Sequence, residues 1–156
     1  MKWIVIPLVN LAAWYVFQRM KKTLPMLENL VAFFISGFLC QICLVIAMVN
    51  LKWIITSQSK FLQLLMTLDS VLVFPFLVLI WLNKMLWVPR RAKWLYVLAA
   101  VVSILAVESL EVWASLYSFR SVFVQWLFNL SWIVVVGGTW VVWKFYRRFA
   151  MRGVQT

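Results

Sequence analysis

The chain has 156 residues, of which 66% are hydrophobic and 12% charged, and its formal net charge is +11. A mean hydropathy of +0.98 excludes a soluble globular domain, because such a chain has too little polar surface to cover itself. The cations lie in short clusters between apolar runs, which is typical of membrane topology signals rather than of nucleic-acid binding.

Five apolar runs predict an all-α fold, a bundle of five transmembrane helices, since a helix needs about 20 residues to cross about 30 Å of hydrocarbon. The expected spans are residues 3–18, 30–50, 61–82, 94–117 and 122–145, all in a single transmembrane domain, 1–156. The first run is short and contains Pro7 and Asn10, and the basic residues Arg19, Lys21 and Lys22 end it. Short connections predict that sequential helices are antiparallel neighbours.

Lys and Arg predict the orientation of this bundle, because cytoplasmic loops hold their excess. Eleven of the 15 basic residues fall on one side, and the other side holds Lys2, Lys52, Lys60 and Arg120. The N-terminus is therefore expected outside and the C-terminus inside, in a multi-pass protein of the cell membrane. Anionic lipid headgroups are the expected partners of the cytoplasmic cations Arg90, Arg91, Lys93, Arg147 and Arg148.

In this topology, polar side chains from all five helices reach one height, roughly 10 to 15 Å below the outer surface at 1.5 Å of rise per residue. The inner half of the bundle is expected to be nearly free of them. Glu108 and Glu111 are spaced i, i+3 and share a helix face. The predicted binding residues of this acidic layer are Asp69, Glu108, Glu111, Gln125, Asn129, Asn10 and Gln41.

Two prolines fall inside the predicted spans. Neither Pro7 nor Pro75 can donate a backbone hydrogen bond, so each is expected to kink its helix and to release a carbonyl oxygen, that of Trp3 or Val71. The Val71 carbonyl lies close to the level of Asp69 and could serve as an oxygen ligand for a cation. The simpler interpretation is a proline kink packed against a neighbouring helix.

The three acids have no matching Lys or Arg inside the spans, and one carboxylate at membrane depth costs roughly 2.5 to 3.5 kcal/mol. Protons or a bound cation must balance the layer. One interpretation is a pocket, open to the outside, that binds or carries a proton, a cation or a small amine. The other is a hydrogen-bonded structural network in a non-enzymatic accessory or scaffold subunit, with a membrane protein partner or a second copy of the chain.

Few enzyme chemistries fit this sequence. Histidine is absent, as are Gly-rich phosphate loops, serine nucleophile elbows and HExxH, so we expect no catalytic residue, metal or cofactor. The exception would be a membrane thiol oxidoreductase that uses the CxxC pair Cys40 and Cys43. That pair lies mid-helix in apolar surroundings, which favours a packing role.

Three segments carry a resemblance to a known family: LDSVLVFPFLVLIWL (Leu68 to Leu82), ESLEVW around Glu108 and Glu111, and the RMKKTLP stop before the second span. With them the chain resembles a family of small polytopic membrane proteins of uncharacterised function from spore-forming Firmicutes. The resemblance covers most of the chain. It implies a cell-membrane location, points to Asp69, Pro75 and Glu108, and supplies no activity.

Overall fold

The computed structural model describes residues 2–152, and it is an all-helical fold with 82% of its residues in helix. Six α-helices follow in chain order: α1 (Val5–Arg19), α2 (Met26–Val45), α3 (Lys60–Leu68), α4 (Phe74–Met85), α5 (Lys93–Trp113) and α6 (Val122–Arg152). Short 3-10 turns, Lys2–Ile4 and Arg90–Ala92, precede α1 and α5. Two π-helical turns extend this pattern: Ile46–Asn50 continues α2, and Asp69–Val73 joins α3 to α4.

Four continuous helices within the described residues are long and apolar enough to cross a membrane: Met26–Asn50, Lys60–Met85, Lys93–Trp113 and Val122–Phe149. This confirms the coarse prediction of a polytopic helical membrane protein. Helix α1 is shorter, with 15 residues, or about 22 Å of helix. Its exposed apolar side chains include Leu8, Leu11 and Trp14, as expected for a helix that faces lipid.

The helix bounds differ from the predicted spans at several ends. Helix α2 begins at Met26, four residues before the predicted start. The continuous helix formed by α3, the π turn and α4 ends at Met85. Helix α5 ends at Trp113 rather than at residue 117, and α6 continues beyond residue 145. Helix α2 begins earlier and α4 ends later than predicted because the polar residues there, Asn29 and Asn83, remain helical and buried.

The C-terminus of α5 is closed by a Schellman motif. Ser115 adopts a left-handed conformation with φ of 62°, and its N–H donates to the Val112 carbonyl while the Leu116 N–H donates to the Glu111 carbonyl. Glycine normally occupies this position, so the sequence gives no obvious stop signal. The motif turns the chain back on itself and places Tyr117 beside the last turn of α5.

A two-stranded antiparallel ribbon follows directly from this turn. Strand β1 (Ile54–Thr56) pairs with strand β2 (Tyr117–Phe119), with Ile54 opposite Phe119 and Thr56 opposite Tyr117. Both strands are rich in β-branched and aromatic residues, which favour extended backbone. The ribbon ties the connection between the second and third helices to that between α5 and α6. Tyr117 was expected at the end of the fourth span and the other ribbon residues in connecting loops, so this pairing was not predicted from the sequence.

The helices run between two ends of the bundle. At the ribbon end, the Trp3 ring packs 5.1 Å from that of Phe61. At the opposite end, which we call the basic end, Trp87 Nε1 donates to Thr23 Oγ1 and Trp143 Nε1 donates to Glu28 Oε2. The basic end therefore brings together the α1–α2 turn, the α4–α5 connection and the C-terminal part of α6.

The two predicted proline kinks take a different form. Pro75 is the second residue of α4 and directly follows the π turn, in which the Phe74 N–H donates to the Asp69 carbonyl five residues earlier. A π turn shifts the hydrogen-bond register just where proline lacks an N–H. Pro7 lies in the first turn of α1, where a backbone donor has no intrahelical partner in any case. The sequence did not predict the π turn that presents Asp69.

Candidate functional site

The three predicted acids are buried in the half of the bundle near the ribbon. Asp69 comes from the π turn, and Glu108 and Glu111 come from the last two turns of α5. Each side chain is only 1% exposed. The acids are therefore closed off in this conformation, and the predicted opening of their pocket to the outside is not observed.

Asp69 and Glu111 form one part of the site. Their carboxyl groups lie within hydrogen-bonding distance of each other. Asn10 Nδ2 on α1 donates to Asp69 Oδ1, and Tyr117 OH donates to Glu111 Oε2 at 2.9 Å. Because an ionised carboxylate can only accept hydrogen bonds, a bond between these two groups requires a proton on one of them.

Two atoms in this part of the site remain without a partner. Among the described residues, Glu111 Oε1 and Asn10 Oδ1 are buried and accept no hydrogen bond. The one salt bridge within those residues joins Arg147 to Glu28 at the basic end, so no cationic side chain pairs with Asp69 or Glu111. A proton carried by either carboxyl group would let that group donate a hydrogen bond to the other. This carboxyl pair thus has room for one bound proton.

Tyr117 is well suited to remain a donor in this arrangement. It lies in strand β2, beyond the end of α5, and its side chain is buried. Burial raises the pKa of the Tyr117 phenol well above its usual value, and the nearby Glu111 carboxyl raises that pKa further. The phenol therefore keeps its proton and donates a hydrogen bond to Glu111 Oε2.

Glu108 forms the other part of the site, and both of its oxygens have donors. Trp132 Nε1 on α6 donates to Glu108 Oε2. Asn129, in the amide orientation that satisfies its hydrogen bonds, donates to Glu108 Oε1 at 2.7 Å and to the Gln125 carbonyl at 3.0 Å. Glu108 is thus a satisfied acceptor that links α5 to α6.

Five of the seven predicted binding residues come together in these two parts: Asn10, Asp69, Glu108, Glu111 and Asn129. Gln125 contributes its backbone carbonyl. Gln41 donates from Nε2 to Ser70 Oγ at 2.6 Å and lines a separate cavity of about 350 Å³ between α2 and α3. Ser70 lies next to Asp69 in the chain, but the contacts of Gln41 are not with the acids.

A second polar cluster, which the sequence analysis did not predict, lies at the basic end and is centred on Asn83. Asn83 Oδ1 accepts from the backbone N–H groups of Thr23 and Leu24, both at 3.0 Å. Asn83 Nδ2 donates to Asn29 Oδ1 at 2.8 Å, and Asn29 Nδ2 donates to the Leu24 carbonyl at 2.9 Å. Asn29 and Asn83 lie just outside the predicted spans 30–50 and 61–82, so this cluster was not predicted from the sequence.

Other candidate chemistry is limited in the described part of the chain. No group of three or more His, Cys, Asp or Glu side chains there could hold a metal ion. Cys40 and Cys43 are both free thiols, and Cys40 is fully buried in the apolar core. Cys43 is half-buried on the same helix, α2.

Comparison of the chain with known proteins identifies no relative. No protein-family model, curated protein or solved structure matches the chain. The resemblance to a family from spore-forming Firmicutes stays a prediction.

Proposed function

We propose that the chain is a five-span protein of the cell membrane, with its N-terminus outside, that binds an exchangeable proton at the Asp69–Glu111 pair and takes a small cation or amine in its place. The position of helix α1 supports counting it as a span. It packs against α4, the π turn before α4 and α5, and its two ends lie at the two ends of the bundle. The basic residues of the loops support the orientation.

The contact between Asp69 and Glu111 carries this proposal. Two buried carboxyl groups without a cationic partner are stable at membrane depth only when charge is removed from one of them. A proton does this, and a small cation seated between the oxygens would do the same. Glu111 Oε1 is buried without a hydrogen-bond partner, so one oxygen of the pair is free for either of them.

An accessory or scaffold role remains the second candidate, and Glu108 favours it. Both oxygens of Glu108 accept hydrogen bonds from α6, so this acid serves to join two helices and needs no ligand. In that case purification from membranes would yield a stoichiometric protein partner or a second copy.

A redox role for Cys40 and Cys43 is a third hypothesis. A double Cys-to-Ser variant that behaved like the native protein would exclude it.

The pH dependence of stability tests the proton site. At neutral pH the exposed carboxyl groups of the unfolded state are ionised. If the folded pair holds one proton at that pH, the folded state binds more protons than the unfolded state. Stability then falls as pH rises, by about 1.4 kcal/mol per pH unit while one proton separates the two states. We expect this slope in thermal unfolding of the native protein in detergent, and we expect Asp69→Asn and Glu111→Gln to remove it.

Glu108→Gln is the matched control, because it removes a carboxyl of equal burial outside the pair, so the slope that the pair contributes should remain in this variant. Sodium or ethylammonium ions added at high pH should restabilise the native protein if either replaces the proton, and should leave Glu111→Gln unchanged. An equal slope in Glu111→Gln and the native protein would contradict the proposal.

A further inference from the structure

A basic cleft lies between three helices at the basic end of the bundle. It encloses about 730 Å³ between the end of α4, the first turns of α5 and the C-terminal half of α6. Seven residues line it: Met85, Lys93, Trp94, Val97, Trp140, Lys144 and Arg148. None of the acids of the chain is among them, and the site is separate from the Asp69–Glu111 pair.

The charge of the cleft is positive and uncompensated. Lys144 and Arg148 follow Trp140 at intervals of four residues, so all three share one face of α6. Lys93 is the first residue of α5, where the helix dipole adds positive potential. Among the described residues none of these three cations forms a salt bridge.

On the neighbouring face of α6, by contrast, the cation Arg147 has an acidic partner. Arg147 Nε lies 3.9 Å from Glu28 Oε1, and Trp143 Nε1 donates to Glu28 Oε2 at 2.9 Å. Glu28 is thereby taken up on that face and leaves the cleft without a counter-charge. Arg147, predicted from the sequence as a headgroup ligand, is thus engaged within the protein. The side chain of Arg90 lies outside the described part of the chain.

The floor of the cleft is apolar. Met85, Val97 and Trp140 form it, and beneath them α4, α5 and α6 pack closely, with only about 10 Å³ of free space between them. Lys144 Nζ lies 4.2 Å from the centre of the Trp140 ring, which holds the ammonium group above this floor. An occupant therefore meets cations at the rim and an apolar surface below them.

We infer that this cleft binds an anionic phospholipid, with its phosphate groups at Lys93, Lys144 and Arg148 and one acyl chain against the apolar floor of the cleft. Phosphate oxygens suit Lys and Arg donors, and basic pockets between transmembrane helices bind such headgroups. Three cations match a headgroup with two phosphates better than one with a single phosphate. The apolar floor favours an acyl chain and adds nothing for a free phosphate ion, which separates a lipid from a soluble anion.

Native mass spectrometry of the purified full chain can test this inference. The protein would be delipidated in detergent and titrated with cardiolipin, phosphatidylglycerol and phosphatidylcholine. We expect cardiolipin to bind most tightly and phosphatidylcholine not to saturate the site. Lys144→Gln/Arg148→Gln should weaken cardiolipin binding roughly 30-fold, as expected for the loss of two headgroup cations.

Arg19→Gln/Lys21→Gln is the matched control, because it removes two exposed cations outside the cleft. It should change cardiolipin binding less than about 3-fold, since only the diffuse potential changes. Val97→Trp fills the space above the apolar floor of the cleft and keeps all three cations, so it should lower cardiolipin affinity without affecting inorganic pyrophosphate. Thermal unfolding of each variant would check that it is folded.

Three outcomes would overturn the inference. Equal losses in the cleft and control variants would mean that cardiolipin responds only to net charge. Full binding by Val97→Trp would mean that no acyl chain lies on the floor of the cleft. Saturating displacement of cardiolipin by pyrophosphate, undiminished in Val97→Trp, would identify a site for a soluble anion.

Discussion

The two polar clusters of the bundle differ in how completely their hydrogen bonds are satisfied. At the basic end, Asn83 and Asn29 donate and accept with neutral partners, and every bond joins a donor to an acceptor. Near the ribbon, Asp69 and Glu111 place two acceptors against each other and leave Glu111 Oε1 without a donor. A satisfied cluster holds helices together, whereas the second one is complete only with a proton or a cation.

Glu108 shows that an acid at this depth does not have to be functional. It lies three residues from Glu111 on the same helix and is equally buried, yet Trp132 and Asn129 supply donors to both of its oxygens. The difference between the two glutamates is therefore one of partners rather than of depth. Replacing each glutamate by glutamine should therefore affect stability differently at the two positions.

The largest effect is expected at the basic end. Asn83→Leu would leave the Thr23 and Leu24 N–H groups and Asn29 Oδ1 without partners, and we expect it to lower the free energy of unfolding by about 3 kcal/mol. Denaturant unfolding in detergent micelles would measure this. Asn50→Leu, at an exposed position, is the control and should change stability by less than about 0.5 kcal/mol. Equal effects of the two would mean that the Asn83 cluster adds no stability.

A smaller, asymmetric effect is expected for the two glutamates. Both partners of Glu108 donate, so in Glu108→Gln one of them faces an amide N–H₂, and we expect a loss of about 1 kcal/mol. Glu111 accepts from Tyr117 but faces the acceptor Asp69, so Glu111→Gln can satisfy both and should change stability at low pH by less than about 0.5 kcal/mol. The same unfolding assay would compare them, and the reverse order would refute this assignment of partners.

Part of the site could be predicted because depth in a membrane is fixed by helix rise. Counting residues from the span ends placed Asn10, Asp69, Glu111 and Asn129 at one height, and the structure connects the first three and joins the fourth to Glu108. Gln41 shares that height but points to a different face, because depth says nothing about rotation around the helix axis.

The donors to the acids were missed for a different reason. Trp132 and Tyr117 were not among the predicted site residues, although each carries one hydrogen-bond donor on an otherwise apolar ring. Trp132 lies three residues after Asn129, so the spacing that puts both on one face of α6 was available in the sequence. The Schellman turn at Ser115 was not, since a non-glycine residue with positive φ gives no signal.

The polar cluster at the basic end was missed because the spans were drawn too short. Asn29 and Asn83 fell just outside the predicted ends of the spans. Apolar runs mark where a helix is surrounded by hydrocarbon, whereas a buried amide is tolerated wherever neighbouring segments supply partners. The partners here come from the backbone of the α1–α2 turn, whose position no local pattern predicts.

Infrared spectroscopy at neutral pH tests the central claim most directly, because a protonated carboxyl group has a C=O stretching band that a carboxylate lacks. We predict that the native protein shows this band in lipid bilayers, that Glu111→Gln loses it, and that Glu108→Gln retains it. If the native protein shows no such band, or if Glu108→Gln alone removes it, then Asp69 and Glu111 do not share a proton.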